Sequence, residues 1–163
     1  IEISEKLRTW TEVELAIVIG KNAKKISSKK ASEYIFGYTI GNDVTVENIL
    51  GRDHHLARSK AWDTFCPLGP HIETELNTDN LVLTNKINGV VHQESNTNKR
   101  ILNDHEIISL VSNLMTLYPG DVILTGTPAN AESSIIHDQD VVAFEIQQIV
   151  ILTNKVRCLY PKL

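Results

Sequence analysis

Residues 11–20, with the sequence TEVELAIVIG, are the stretch on which the interpretation of this chain depends. The density of Val and Ile after Glu14 predicts a strand from Glu12 to Ile19. Glu12 and Glu14 are two positions apart, so on a strand both carboxylates project from one face. Adjacent carboxylates repel each other and disfavour burial. A divalent cation would neutralise them, because Mg²⁺, Mn²⁺ and Ca²⁺ prefer carboxylate oxygens; two solvated glutamates at a strand end are the alternative.

A third acid, Asp43, lies near the end of a second predicted strand, residues 36–46, with the sequence FGYTIGNDVTV. Aspartate is depleted in strands, so this acid is either the start of a turn or a functional exception. Gly37 and Gly41 in the same strand are typical of bulges or of close backbone approach. Asp43 is therefore considered together with the glutamate pair as a possible cation ligand.

Length and composition predict one soluble globular domain. The chain has 163 residues, of which 42% are hydrophobic and 22% are charged, which is enough to bury a core without disulfides. We expect a single domain over residues 1–163. Because the sequence begins with Ile1 and not with Met, residues 1–10 are interpreted as a lead-in from, or a remnant of, an upstream segment.

Charge and cysteine content restrict the expected partners and compartment. Sixteen basic and twenty acidic residues give a net charge of −4, which predicts no binding to nucleic acid or to a membrane and favours a small molecule or a protein as partner. Cys66 and Cys158 form no CxxC pair, so reduced thiols are expected. No apolar run of membrane-spanning length and no signal peptide are found, and a cytoplasmic location is expected.

Helices are predicted at two places. Residues 26–35 favour one or two helical turns. Asn103, with Glu106 three positions later, predicts a capping box at the start of a longer helix. Residues 47–59 are interpreted as a loop or short helix with an exposed His pair. The longer helix has apolar residues at helical spacing that predict one buried stripe: Ile107, Ile108, Val111, Leu114 and Met115.

The remaining segments predict strands. Asn88-Gly89 between residues 81–87 and 90–94 is a strong hairpin signal, because both positions favour positive φ; His92 on this hairpin is interpreted as a surface residue. Residues 122–128 and 139–159 add further strands. With about seven or eight strands and one or two short helices, the predicted class is mainly β, or α+β with most of its mass in sheet.

Four blocks of the sequence together resemble the fumarylacetoacetate hydrolase superfamily in order and spacing. They are EVELAIVIGK at 12–21, GYTIGNDVT at 37–45, ARSKAWDTFCPLGP at 57–70 and PGDVILTGTP at 119–128. The similarity runs from about residue 11 to about residue 156. It implies a single catalytic domain with a mixed β-sheet roll, which is usually a homodimer.

The resemblance also implies a site. Its three metal-binding carboxylates correspond to Glu12, Glu14 and Asp43, the lysine beside the metal corresponds to Lys60, and the Gly-Thr-Pro loop places Thr127 and Gly126 at the substrate. The expected cofactor is Mg²⁺, with Mn²⁺ or Ca²⁺ as alternatives. The expected substrate is a 2-oxo or 2-hydroxy-dienoic dicarboxylic acid, whose enolate the metal and the lysine would stabilise.

The sequence departs from the family pattern in ways that bear on the reaction. Glu47 stands where members often have a basic residue, and residues 129–132 (ANAE) replace a glycine-rich continuation. Hydrolytic and decarboxylating members use a His and Glu pair on a lid upstream of the Glu-x-Glu strand, and residues 1–10 contain no His. We therefore expect an isomerase or decarboxylase similar to 2-hydroxyhepta-2,4-diene-1,7-dioate isomerase. The alternatives are an acylpyruvate- or fumarylacetoacetate-type C–C hydrolase, a shortened non-catalytic relative that binds metal or an oxo-acid, and a β-rich interaction module without metal.

Overall fold

Two four-stranded antiparallel sheets form the larger part of the computed structural model, which describes residues 1–4, 6–48, 51 and 54–160. The α-helices of this part of the chain are α1 (Ala57–Lys60) and α2 (Asp104–Leu114), and short 3₁₀ helices span Ser28–Tyr34, Thr97–Lys99 and Ala131–Ser133. The strands are β1 (Glu2–Ser4), β2 (Thr9–Trp10), β3 (Val13–Ile19), β4 (Ile35–Asn42), β5 (Thr45–Val46), β6 (Leu68–Glu73), β7 (Val82–Ile87), β8 (Val90–Asn96), β9 (Val122–Leu124), β10 (Val141–Ile146), β11 (Leu152–Lys155) and β12 (Arg157–Tyr160).

The first sheet has the strand order β6-β4-β3-β9, so β3 lies inside it. Every residue of β3 is buried, which agrees with its Val- and Ile-rich sequence and with a central position. The second sheet has the order β11-β10-β7-β8, and β1–β12 and β2–β5 form two separate pairs. β3 contacts β7, and β4 contacts β10, so the two sheets share the core.

The register between β3 and β4 determines where the acids meet. Val13 pairs with Asn42 and Glu14 pairs with Gly41, and the Asp43 amide donates a hydrogen bond of 3.1 Å to the Glu12 carbonyl. The end of β4 is therefore opposite the start of β3. On the same strand, a Cβ atom on Gly37 would lie 2.6 Å from the Glu73 carbonyl oxygen of β6, which explains the absence of a larger residue at position 37.

The predicted fold class, mainly β or α+β, is confirmed. Eight of the strands formed by the described residues have four or more residues, and the other strands are shorter. The predicted hairpin is present, with positive φ at Asn88 and Gly89. The capping box of α2 is also present, because Asn103 and Glu106 exchange hydrogen bonds as predicted.

Three local predictions need correction or qualification. The predicted strand 36–46 is interrupted, since β4 ends at Asn42 and β5 resumes at Thr45. Within 47–59, residues 49, 50, 52 and 53 lie outside the described residues, and α1 begins at Ala57.

The predicted buried stripe of α2 is wrong at its end, where Leu114 is 74% and Met115 57% exposed. The stripe is confirmed at Ile107 and Ile108, which are buried. The buried side also includes Ser112, because its hydroxyl accepts a hydrogen bond from the Ile26 amide and the helix packs on the 3₁₀ helix Ser28–Tyr34. Among the described residues, no helix has the length and apolar character needed to cross a membrane.

Candidate metal centre

The carboxylates of Glu12, Glu14 and Asp43 converge at the edge where β3 begins and β4 ends, and we call them the carboxylate triad. One oxygen from each residue lies within 4.8 Å of the others. Glu14 is 4% exposed, and the side chains of Glu12 and Asp43 are 13% and 19% exposed. The strand alternation that brings Glu12 and Glu14 to one face, together with the β3–β4 register, explains this convergence.

Glu12 and Glu14 are held by different neighbours. Glu12 Oε1 accepts hydrogen bonds from Trp10 Nε1 at 2.8 Å and from Thr45 Oγ1 at 3.0 Å. Glu14 Oε2 accepts a hydrogen bond from the Gly126 amide. Gly126 has a φ of +98°, a conformation that favours glycine, and this turn directs the amide at the carboxylate.

Lys60, the last residue of α1, brings a positive charge to the triad. Its Nζ atom donates to Asp43 Oδ2 and lies 3.3 Å from Glu12 Oε2. It also donates to Thr45 Oγ1 at 3.0 Å. Burial alone would lower the pKa of Lys60, but the hydrogen bond to Asp43 and the charges of Glu12 and Asp43 outweigh it and raise the pKa. Lys60 is therefore an ammonium group at neutral pH.

The pKa values of two triad carboxyls are raised. Burial raises the pKa of Glu14 to about 7, and the charges of Asp43 and Glu12 add to this shift. Burial also raises the pKa of Asp43, although Lys60 opposes the increase. Placing carboxylates together in a partly dry site makes their charged forms less stable.

The donor set of the triad fits a hard divalent cation. Three carboxylates face the one ammonium of Lys60, so the fully ionised group carries a formal charge of −2. Hard cations take oxygen ligands and relieve this excess charge. Burial and the neighbouring carboxylates disfavour the charged form of Glu14, and a bound cation would stabilise that form. Glu47 is directed elsewhere, because its Oε1 atom accepts a hydrogen bond from the Arg8 amide.

The loop Thr125–Ala129 adjoins the triad through Gly126. The Thr125 amide and hydroxyl donate to the Leu15 carbonyl at 3.1 Å and 2.9 Å. Thr127 is half-buried, and its Oγ1 atom lies 3.4 Å from the Gln93 side-chain amide nitrogen. Gly126 and Thr127 are the two residues expected at the substrate. The Gly126 amide donates a hydrogen bond to Glu14, and the Thr127 hydroxyl accepts one from Gln93 of the neighbouring sheet.

The structure therefore brings together Glu12, Glu14, Asp43 and Lys60 and places the Gly126–Thr127 loop beside them. Trp10 and Thr45 were not predicted as part of the site. Each has a signal in the sequence, because Trp10 precedes Glu12 by two positions and Thr45 follows Asp43 by two. His92, predicted to be a surface residue, is exposed.

The fold and the carboxylate triad indicate the class of protein, and comparison with known families gives the same result. Residues 3–157 match the family described as Fumarylacetoacetate (FAA) hydrolase C-terminal. The chain belongs to the fumarylacetoacetate hydrolase family, and the proteins similar to it include an isomerase, a hydrolase and a tautomerase.

Three of the most similar proteins have names that state an activity. The chain is 39% identical over 160 residues to the mitochondrial oxaloacetate tautomerase FAHD2A of Bos taurus, covering 89% of this chain and 49% of the tautomerase. It superposes on the crystal structure of 2-hydroxyhepta-2,4-diene-1,7-dioate isomerase from Mycobacterium marinum with a TM-score of 0.91 and 41% identity, covering 98% of this chain and 63% of that one.

The third similar protein is a maleylpyruvate hydrolase from Sphingobium sp. SYK-6, solved in complex with manganese(II) ion and pyruvate. Its TM-score is 0.83 and its identity 30%, over 97% of this chain and 58% of that one. The chain thus spans about half to two thirds of the length of these relatives.

Proposed function

We propose that this chain is a divalent-metal-dependent enzyme of the isomerase or decarboxylase type, acting on 2-oxo or 2-hydroxy-dienoic dicarboxylic acids. The observation that carries the proposal is the convergence of three carboxylate oxygens within 4.8 Å beside the Lys60 ammonium. Support comes from the relatives, whose names include an isomerase of a dienoic diacid, a tautomerase of oxaloacetate and a hydrolase bound to Mn²⁺ and pyruvate.

Glu12, Glu14 and Asp43 would hold the cation, with Mg²⁺ as the first candidate and Mn²⁺ or Ca²⁺ as alternatives. When bound, the cation supplies Lewis-acid polarisation of the keto and carboxylate oxygens of a 2-oxo acid. Glu12 is oriented for this role by Trp10 and Thr45. Such supporting hydrogen bonds keep ligand oxygens in place and raise affinity.

Lys60 would stabilise negative charge on the substrate oxygen that becomes the enolate. An ammonium group is a compact positive charge that donates hydrogen bonds, so Lys60 would act as an electrostatic group beside the substrate oxygen. The Thr127 hydroxyl would donate to the substrate carboxylate. Keto–enol isomerisation and loss of CO₂ both require this charge stabilisation, which is why one site could serve either reaction.

The test is turnover of metal-stripped protein before and after Mg²⁺ or Mn²⁺ is restored. The substrates are oxaloacetate, 2-hydroxyhepta-2,4-diene-1,7-dioate and maleylpyruvate, so that tautomerisation, double-bond isomerisation and hydrolysis are each followed by absorbance. Metal-restored turnover of either of the first two supports the proposal. Metal binding without turnover of any of them, with oxalate binding to the metal-loaded protein, would instead indicate a non-catalytic relative.

A further inference from the structure

Gln93 connects the second sheet to the loop that carries Thr127. It lies on β8, is 4% exposed, and its Nε2 atom donates to the Pro128 carbonyl at 2.9 Å. The same nitrogen lies 3.4 Å from Thr127 Oγ1 and 3.4 Å from the Ala129 carbonyl. One buried amide group thus contacts three consecutive loop residues.

Asn85 extends this connection to the start of β3. It lies on β7 opposite Gln93, is fully buried, and its Nδ2 atom donates to Gln93 Oε1 at 3.1 Å. Asn85 Nδ2 also lies 3.1 Å from Thr11 Oγ1 and 3.2 Å from the Thr11 carbonyl. Thr11 is the residue immediately before Glu12, so the chain of contacts reaches both sides of the site.

The side-chain amide of Gln93 performs two functions at once. Its oxygen accepts from Asn85 while its nitrogen donates to the loop; a carboxylate could not donate, and an apolar group could do neither. The hydrogen bond from Gln93 also orients the Thr127 hydroxyl, because the hydroxyl oxygen acts as its acceptor. The hydroxyl proton of Thr127 is therefore free to be donated to another acceptor.

We infer that Gln93 and Asn85 are positioning residues that hold the Thr127 loop and the segment Thr11–Glu12, just before β3, in place for the binding of a substrate carboxylate. The inference rests on the proposed function, because that function supplies the carboxylate. Gln93 and Asn85 touch neither the carboxylate triad nor Lys60 among the hydrogen bonds described, so they act through Thr127 and Thr11. Buried side-chain hydrogen bonds of this kind favour one arrangement of the segments they join; the Asn85 Oδ1 atom, on the other side of the same amide, has no hydrogen-bond partner among the described residues.

The first experiment compares Gln93→Met with Thr84→Val in the Mn²⁺-loaded protein. Thr84 lies next to Asn85 on β7, and its buried hydroxyl has no hydrogen-bond partner among the described residues, so Thr84→Val is a matched buried control. We expect Gln93→Met to weaken oxalate binding and to raise KM about tenfold, the scale of one or two lost hydrogen bonds, with kcat and Mn²⁺ affinity changed less than about threefold.

Equal oxalate affinity and KM in Gln93→Met and Thr84→Val would overturn the inference. So would a change confined to thermal stability, since a purely structural residue leaves KM unchanged while the protein is folded. If Gln93→Met does not fold, Gln93→Asn replaces it, because its shorter amide cannot span the distance between Asn85 and Pro128. In a Thr127→Val background the effect of Gln93→Met on KM should shrink, since the two residues act together.

A second readout separates this inference from the proposed function. Hydrogen exchange of the Gly126 and Thr127 amides is measured in metal-free protein without ligand. We expect exchange to be about tenfold faster in Gln93→Met than in Thr84→Val, because the loop loses its anchor. Unchanged exchange would contradict the inference even if turnover is found, whereas faster exchange in a protein without turnover would retain the anchoring role and reject the proposed reaction.

Discussion

Two largely buried acidic sites lie at different points along β4, and the number of positive charges that neutralise each of them differs. In the first, which we call the Asp104 cluster, one carboxylate receives hydrogen bonds from Arg100, Tyr38 and Thr78. In the carboxylate triad, three carboxylates share the one ammonium of Lys60. Both groups are largely buried, so burial alone does not distinguish them.

The difference lies in charge neutralisation. Asp104 has one cationic partner, and its two oxygens are both occupied, which is the arrangement of a structural ion pair at the start of a helix. The triad retains an excess of negative charge, and the pKa of Glu14 is raised to about 7 as a result of burial and its neighbours. Buried acidic residues whose charge is not neutralised by other residues of the chain are a stronger indication of a ligand site than buried acidic residues with a cationic partner.

The largest expected effect is the loss of activity when a triad oxygen is replaced. Asp43→Asn keeps the shape of the side chain but removes its charge. We expect kcat/KM in saturating Mg²⁺ to fall by roughly a thousandfold, because the cation that would stabilise transition-state charge loses one of its three carboxylate ligands. Asp79→Asn, at an exposed aspartate, is the control. A fall of less than tenfold in Asp43→Asn would remove Asp43 from the proposed site.

The Asp104 cluster should respond in stability and not in metal binding. Arg100→Met leaves the Asp104 carboxylate without its cation, and we expect the free energy of unfolding to fall by about 3 kcal/mol in urea titrations. Mn²⁺ affinity should change by no more than about twofold, because the two clusters share no partner. If Arg100→Met left stability intact and abolished metal binding, the assignment of the two clusters would be reversed.

The pH dependence of stability should distinguish the metal-free triad. The pKa of Glu14 is about 7 in the folded chain against an ordinary value of 4.5, so unfolding between these values releases a proton. Metal-free protein should therefore lose about 3 kcal/mol of stability as pH rises from 4.5 to above 7. Glu14→Gln should lack this part of the dependence and be more stable than the wild type at pH 8. Parallel pH profiles for the two proteins would contradict this assignment.

The smallest expected effects come from two buried threonines, one in each group. Thr45→Val removes the hydroxyl between Lys60 and Glu12, and we expect kcat/KM to fall about fivefold to tenfold, the scale of a hydrogen bond. Thr78→Val removes a donor to Asp104 and should lower the free energy of unfolding by about 1 kcal/mol without changing kcat/KM. Kinetics and urea titrations on both variants check this contrast. If both variants showed the same changes in kcat/KM and in the free energy of unfolding, the proposed difference between the two sites would be wrong.

The sequence was informative where the determining interactions are local or periodic. The two-residue spacing of Glu12 and Glu14 and the Val- and Ile-rich run after them were sufficient to predict the strand and its acidic face. Asn88-Gly89 and the Asn103 capping box were predicted for the same reason. The helix stripe was wrong at Leu114 and Met115, because helical spacing does not show which side of a helix another element covers.

Contacts between distant segments could not be derived from patterns. Lys60 meets Asp43 across 17 positions and Gln93 meets Thr127 across 34. Family resemblance suggested Lys60 and Thr127, but nothing local marked Gln93, which looks like any polar residue of a hairpin. Trp10 could have been found by extending the period-two pattern of the glutamates backwards.

The most direct test of the central claim is calorimetric titration of metal-stripped protein with Mn²⁺ at pH 7.5, in the wild type and in Glu12→Gln, Glu14→Gln and Asp43→Asn. We predict that the wild type binds one ion per chain and that each substitution weakens binding by at least about a hundredfold. Arg100→Met should bind Mn²⁺ as the wild type does. Unchanged stoichiometric binding in the three triad variants would contradict the account.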